Sequence, residues 1–251
     1  MRRLLFVLLL LCPAAAWAGV NLAEAPIDRL SLSWWQDRWA LTKTEAQADP
    51  DAKIIWLGDS ITYNWQRDGG HGYDDILPLW TSNYAPYHAL DFGFTGDTTA
   101  NLIWRLDHGQ VTGLHPRLVI ILIGANNFGA VHWDANQTVP GIESVVRLTH
   151  ERLPDAHILL LGVLPSIRSA WVDAQTTATN GMLARYYRAD PTTSFIDLTK
   201  LFLLKNGQVD ATLYIDPRLS PPRPALHPDH EAMGRIAAAL APLVQKYAGS
   251  P

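Results

Sequence analysis

The sequence predicts an α/β fold, a three-layer α/β/α sandwich around a parallel sheet of five strands. Three observations carry this. Five short apolar runs recur along the chain, at 53–57, 89–92, 118–123, 157–163 and 194–198. The runs "LVIILIG" and "HILLLGV" are apolar without alternation, the pattern of strands covered on both faces. Between or after the runs lie segments 98–106, 139–152, 171–188 and 229–247, each long enough for a helix. Strands that alternate with helices require parallel crossovers.

Each element has its own justification. The first run, "KIIWL", breaks at Gly58-Asp59-Ser60, a turn signal followed by a helix-starting hydroxyl. The second run opens into "GFTGDTTANLIWRL", where Asp97, Thr98 and Thr99 fit the N-terminus of the helix at 98–106. The third ends in "GANN", and asparagine tolerates turn conformations. The fourth leads towards the helix at 171–188. After the fifth, "DPRLSPPRPALHP" is rich in proline but reads as an ordered loop, not a domain boundary. Asp229 reads as the cap or a first-turn acid of the last helix. No internal repeat is visible, so residues 19–251 are expected to form one domain.

Composition sets the outer limits. The 251 residues are 48% apolar, enough for a sizeable core and too many for a disordered chain. With 20 Lys+Arg against 24 Asp+Glu, the formal net charge of −4 gives no nucleic-acid footprint. Ten tryptophans serve either as core anchors or as the lining of a sugar or acyl groove. At the N-terminus, Arg2 and Arg3 precede an apolar run and then Ala16-Trp17-Ala18. That order matches a signal peptide over residues 1–18, cleaved after Ala18, with export to the periplasm or outside the cell. The run is too short to span a bilayer comfortably, so stable membrane insertion is not expected after cleavage. Cys12 is the only cysteine and follows Leu11, where a lipoprotein signal has a small residue. The mature chain then has no thiol for a disulfide or a metal.

In open parallel sheets, ligands collect beyond the carboxyl ends of the strands. Four places fall there or just before the last helix: Ser60, Gly96, Asn126 and His227. A hydroxyl, a glycine amide, a side-chain amide and an imidazole are the parts of acyl transfer. Ser60 is the candidate nucleophile and His227 the candidate base. The N–H groups of Ser60 and Gly96 and the Asn126 amide are the candidate oxyanion hole. Glycine suits the middle position because no Cβ shields its N–H. Taken singly, each is more often a turn, a cap or a surface residue; the conjunction carries the reading.

These blocks also resemble a known family. "GDSIT", "GFTGDTTANLIWRL", "GANN" and "LHP" before a helix are similar to the four blocks of the SGNH/GDSL hydrolases. "DFGFTGDTTANLIWRL", "PRLVIILIGANN" and "SWWQDRW" are most similar to the branch containing platelet-activating-factor acetylhydrolase catalytic subunits and bacterial GDSL-type esterases. The resemblance implies a flavodoxin-like strand arrangement, the same four site residues, and no metal or organic cofactor. It further implies a small-molecule or glycan ester substrate. The family usually places an aspartate three residues before the histidine; here that position is Pro224, and Asn127 stands where many members have aspartate. Three arrangements are open. Asp216, in "YIDPR", reaches His227 from the far side of the proline-rich loop. A backbone carbonyl orients the imidazole in a dyad. Or the domain no longer hydrolyses and binds acylated polysaccharide.

The remaining polar residues have plainer readings. Asp59 is expected to accept backbone N–H groups around the Ser60 turn, and Arg105 to pair within the fold. His71, His108, His132 and His150 lack metal-ligand spacing. Tyr63, Trp65 and Trp80 either shape a pocket or fill the core. The function expected is an exported serine esterase acting on short, acetyl-type esters of carbohydrate or lipid alcohols. Transfer of the acyl group to a sugar hydroxyl, an O-acyltransferase, differs only in what attacks the acyl-enzyme.

Overall fold

The computed structural model describes residues 19–217 and 225–251; the segment 1–18 with Cys12, and Pro224, lie outside the described residues. In chain order the elements are Ser33–Ala48 (α1), Ile54–Gly58 (β1), Ser60–Tyr63 (α2), Leu77–Asn83 (α3), Leu90–Gly93 (β2) and Thr99–Asp107 (α4). Then come Leu118–Leu122 (β3), Ala125–Gly129 (α5), Ala135–Arg152 (α6), His157–Leu161 (β4), Ala170–Tyr186 (α7) and Thr193–Ile196 (β5). Last are Tyr214–Ile215 (β6), His227–Pro228 (β7) and His230–Ala248 (α8). Strands β1 to β5 form one parallel sheet in the order β2-β1-β3-β4-β5. Helices α4, α6 and α7 pack side by side in one layer, and α3 packs on α8 in the other. This is the expected three-layer α/β/α sandwich with its flavodoxin-like order. The direction of winding reverses between β1 and β3, so the crevice for ligands lies beyond Gly58 and Leu122.

The central strands are buried at every position, as their unbroken apolar runs require. Trp56 on β1 packs its ring 5.4 Å from Trp65 and 5.2 Å from Tyr84, and Trp80 joins the same cluster. Trp65 and Trp80 are therefore core residues. A second aromatic group joins Trp35 to Phe94 and Trp104, with ring centroids 5.3 and 5.4 Å away. It seats α1 against the β2 edge. Arg38 of α1 donates to the Asp91 and Gly93 carbonyls, so the edge strand is covered by a helix.

Some boundaries differ from the sequence reading. Helix α6 starts at Ala135, before the expected 139, because Asp134 and Gln137 form a capping box. Strand β4 stops at Leu161; two residues on, Asn180 accepts from Val163 N–H and donates to its carbonyl, each at 2.9 Å, and so ends the ladder. Helix α4 is capped by Thr98 together with Asn101. Asp97 is not part of that cap. It is buried and accepts from Trp35 Nε1 and Arg105 Nε, both at 2.9 Å.

Arg105 fastens the carboxyl end of the sheet. It is fully buried and also donates to the carbonyls of Gly58 (3.0 Å) and Phe92 (3.1 Å), at the ends of β1 and β2. Removing one partner of a buried ion pair leaves an uncompensated charge. Arg105→Met is accordingly expected to lower unfolding stability by about 3–5 kcal/mol. Urea denaturation checks this; a loss below about 1 kcal/mol would contradict the role.

Candidate active site

Strand β1 runs into α2 through a turn with no spare room. A Cβ on Gly58 would lie 2.2 Å from Thr62 Oγ1 and 2.4 Å from the Leu122 carbonyl. A Cβ on Gly93, across the sheet, would lie 2.1 Å from Tyr63 N. The two glycines let the helix sit directly on the strand ends. Asp59 caps that helix by accepting from Ile61 N at 2.9 Å, which is the role expected of it. Ser60 is the first helical residue and is only 5% exposed.

His227 lies 167 residues further on, with its Nε2 2.8 Å from Ser60 Oγ. Its Nδ1 is hydrogen-bonded to Asp216 Oδ1. A small antiparallel pairing makes this possible: β6 and β7 register Ile215 against His227, which puts Asp216 beside the imidazole. The other carboxylate oxygen accepts the N–H of Leu226 and, at 3.4 Å, that of His227. Burial alone would raise the Asp216 pKa. The bond to His227, attraction to its ring and the two backbone donors outweigh burial and hold the carboxyl below its usual range. Of the three arrangements left open by the sequence, the structure shows Asp216 beside His227. Asp229 is the N-cap of α8, accepting from Ala232 N at 2.8 Å.

Gly96 has φ +77°, and a Cβ there would meet the Arg29 guanidinium at 2.9 Å. The left-handed φ is what calls for glycine here. Asn126 donates one amide N–H to the Asp97 carbonyl at 3.0 Å, which joins α5 to the loop after β2. Asn127 ties α5 to the start of α4: its Oδ1 accepts from Thr99 N at 3.0 Å and its Nδ2 donates to Thr99 Oγ1 at 2.8 Å. Only an amide both accepts and donates in this way; a carboxylate accepts alone.

Asp59 introduces a pH dependence. Burial pushes its carboxyl up to about 7, against the pull of the Ile61 N–H and of His227, and its Oδ2 has no partner among the described residues. The folded pKa is thus above the unfolded value near 3.8. The ionised form is disfavoured in the folded state, so this group's effect on stability is absent below about pH 4. Stability is then lost as pH rises through about 7. Asp59→Asn keeps the cap acceptor and removes the charge. Its stability is expected to gain on wild type between pH 4 and 8, by roughly 2–4 kcal/mol at pH 8. A gap that stays constant across that range in thermal melts would contradict this.

Ser60 and His227 open onto a cleft of about 510 Å³, lined also by Trp34, Arg38, Tyr63, Arg67, Tyr73 and Thr95. Among these flanking residues, the sequence reading points to Tyr63 alone as a pocket candidate. A larger groove of about 660 Å³ runs beside Ser166 and Asp173 but contains neither Ser60 nor His227. The smaller cleft is the candidate site, because Ser60 and His227 both open onto it. The other histidines have separate duties: His108 stacks on Trp104 with centroids 3.9 Å apart, and His150 Nε2 bonds Thr193 Oγ1 at 2.9 Å. Among the described residues no group of three or more His, Cys, Asp or Glu side chains is placed to hold a metal ion. Among them, no helix is long and apolar enough to cross a membrane.

A hydroxyl, an imidazole and a carboxylate in one hydrogen-bonded line, at the switch point of a flavodoxin-like sheet, define a site of the serine-hydrolase type. Residues 56–235 match the GDSL-like Lipase/Acylhydrolase family, and the chain belongs to that family. It is 32% identical over 117 residues to the platelet-activating factor acetylhydrolase IB subunit alpha1 of Bos taurus, covering 47% of this chain and 45% of that one. The corresponding alpha2 subunit of Gallus gallus is 32% identical over 132 residues, 51% of this chain and 52% of the relative. The chain thus spans about half the length of these curated relatives. Among solved structures, a GDSL-like lipase from Bacteroides thetaiotaomicron superposes with a TM-score of 0.64 at 18% identity, covering 83% of this chain and 97% of the other. A carbohydrate esterase family 3 protein from Talaromyces cellulolyticus gives 0.54 at 16% identity, over 78% and 98%. At these identities the two structural likenesses establish the fold.

Proposed function

We propose that the protein is an exported serine esterase that removes short acyl groups, chiefly acetyl, from carbohydrate or lipid alcohols. The observation that carries this is the continuous chain from Asp216 through His227 to Ser60 Oγ. His227 Nε2 takes the hydroxyl proton as Oγ attacks the ester carbonyl. The negative charge that develops on the carbonyl oxygen faces the N–H groups of Ser60 and Gly96 and the Asn126 amide. The carbon–oxygen bond to the alcohol then breaks, and His227 returns its proton to the departing oxygen. Water, deprotonated by the same ring, attacks the acyl-enzyme and frees the acid and Ser60. Asp216 keeps the Nδ1 proton in place and stabilises the imidazolium. With the carboxylate present, the site supports turnover over binding alone.

The acetyl preference is supported by the relatives named acetylhydrolases, the carbohydrate alternative by the carbohydrate esterase that shares the fold, and export by the composition of residues 1–18. The test is hydrolysis of 4-nitrophenyl esters of increasing chain length. Turnover of the acetate is expected, with kcat/KM at least about tenfold above the octanoate, the discrimination that follows when an acyl pocket shaped for a short chain does not accommodate a longer one. No turnover, or a preference for octanoate, would contradict the reading. Protein recovered after secretion is expected to begin at Gly19; an intact Met1 would contradict export.

A further inference from the structure

The cleft around Ser60 and His227 carries two guanidinium groups and no carboxylate among its lining residues. Arg38 is committed to the fold, with Asp91 and Gly93 carbonyls as acceptors and the carboxylates of Glu45 and Asp91 at 3.6 and 3.8 Å. Arg67 is not. Its Nε donates to Asn64 Oδ1 at 3.0 Å, and no carboxylate lies within ion-pair distance of it among the described residues. Two neighbouring acids are engaged elsewhere: Asp68 accepts from Gly70 N and Asp74 accepts from His230 N. The Arg67 backbone is fixed as well, since its carbonyl accepts from Ile76 N and Leu77 N. Its guanidinium carbon sits over the Tyr73 ring, 4.0 Å from the centroid, with Tyr63 at 5.7 Å. Contact with a ring engages the group as a cation and leaves its terminal N–H groups, which have no acceptor among the described residues, for a ligand.

The side of the site is also defined. The imidazole that protonates the departing alcohol is His227, and Tyr73 stands edge-on to it with centroids 6.3 Å apart. Arg67, over Tyr73, therefore borders the space into which the alcohol leaves.

Resting on the esterase reading above, we infer that Arg67 forms an anion subsite, so that preferred substrates are short acyl esters whose alcohol part carries a carboxylate or phosphate. A planar guanidinium edge meets either group with two parallel hydrogen bonds. The experiment compares phenyl acetate, 3-acetoxybenzoate and 3-acetoxyphenyl phosphate in wild type, Arg67→Gln and Arg67→Lys. In wild type, kcat/KM for at least one anionic ester is expected to exceed the neutral one about tenfold or more, through KM. Arg67→Gln is expected to remove that ratio, and Arg67→Lys to keep part of it. The better of the two anions identifies the source of the charge. A second measurement is titration calorimetry of 3-hydroxybenzoate and 3-hydroxyphenyl phosphate on Ser60→Ala protein, where adding Arg67→Gln is expected to weaken binding about tenfold or more. Turnover of all three esters with the same ratios in wild type and Arg67→Gln would overturn the subsite and leave the esterase reading standing. Absent turnover of every ester, with Arg67-dependent anion binding, would do the reverse.

Discussion

Ser60→Ala is expected to lower kcat for 4-nitrophenyl acetate on the order of 10⁶-fold, the loss that follows when a nucleophile acting as a unit with its base is removed. The residue at risk is the hydroxyl alone. Ser60 is buried at the first position of α2, where its side chain meets His227 Nε2 and where alanine keeps the helix geometry. Asp59 still caps that helix, because its acceptor bond is to Ile61 N and does not involve Ser60. The variant is therefore expected to melt within a few degrees of wild type while losing turnover. What remains comes from the oxyanion donors and binding, which in such sites leave roughly 10³- to 10⁴-fold over water. A variant that retains a tenth of the wild-type kcat with an unchanged melt would remove Ser60 from the chemistry.

Asp216→Asn is expected to cost about 10⁴-fold in kcat. The reason lies in the second carboxylate oxygen. It accepts the backbone N–H groups of Leu226 and His227, so the acceptor end of an asparagine amide is drawn to that position. The amide NH₂ then faces His227 Nδ1, which has to accept, and the ring proton moves to Nε2. With Nε2 protonated the ring no longer takes the Ser60 proton. Asp216→Ala is expected to lose less specifically, since it leaves the tautomer free but removes both the backbone anchor and the orienting bond. An Asp216→Asn rate equal to wild type would mean that the imidazole is oriented by something other than the carboxylate.

The parts of the molecule that repeat a pattern were legible in the sequence. Ile54–Gly58 and Leu118–Leu122 are continuous apolar runs because both faces are covered. Ser60, Gly96 and Asn126 stood out because each follows such a run. Asp216 stood out less. The pairing that delivers it has two residues per strand, too short for any alternation, and the ten residues between Asp216 and His227 carry no periodic signal. Asp97 reads in the sequence as part of a helix start because its partners, Trp35 and Arg105, are 62 and 8 residues away. Helix α1 buries only Trp35, Thr42 and Ala46, too few to mark a helical stripe, so it was visible only as the similarity of "SWWQDRW". The cleft residues Trp34, Arg38, Arg67 and Tyr73 went unseen for a related reason. They sit on that helix and on an irregular loop, where no period separates a side chain facing the site from one facing water.

The most direct measurement is mass-spectrometric mapping of the adduct left by a fluorophosphonate on the wild-type protein and on Asp216→Asn. A stoichiometric adduct on Ser60 is expected in the wild type, and in Asp216→Asn the same adduct forming several orders of magnitude more slowly. An adduct on any other residue, or labelling of Ser60 that proceeds as fast without the Asp216 carboxylate, would contradict a hydroxyl activated through His227 by Asp216.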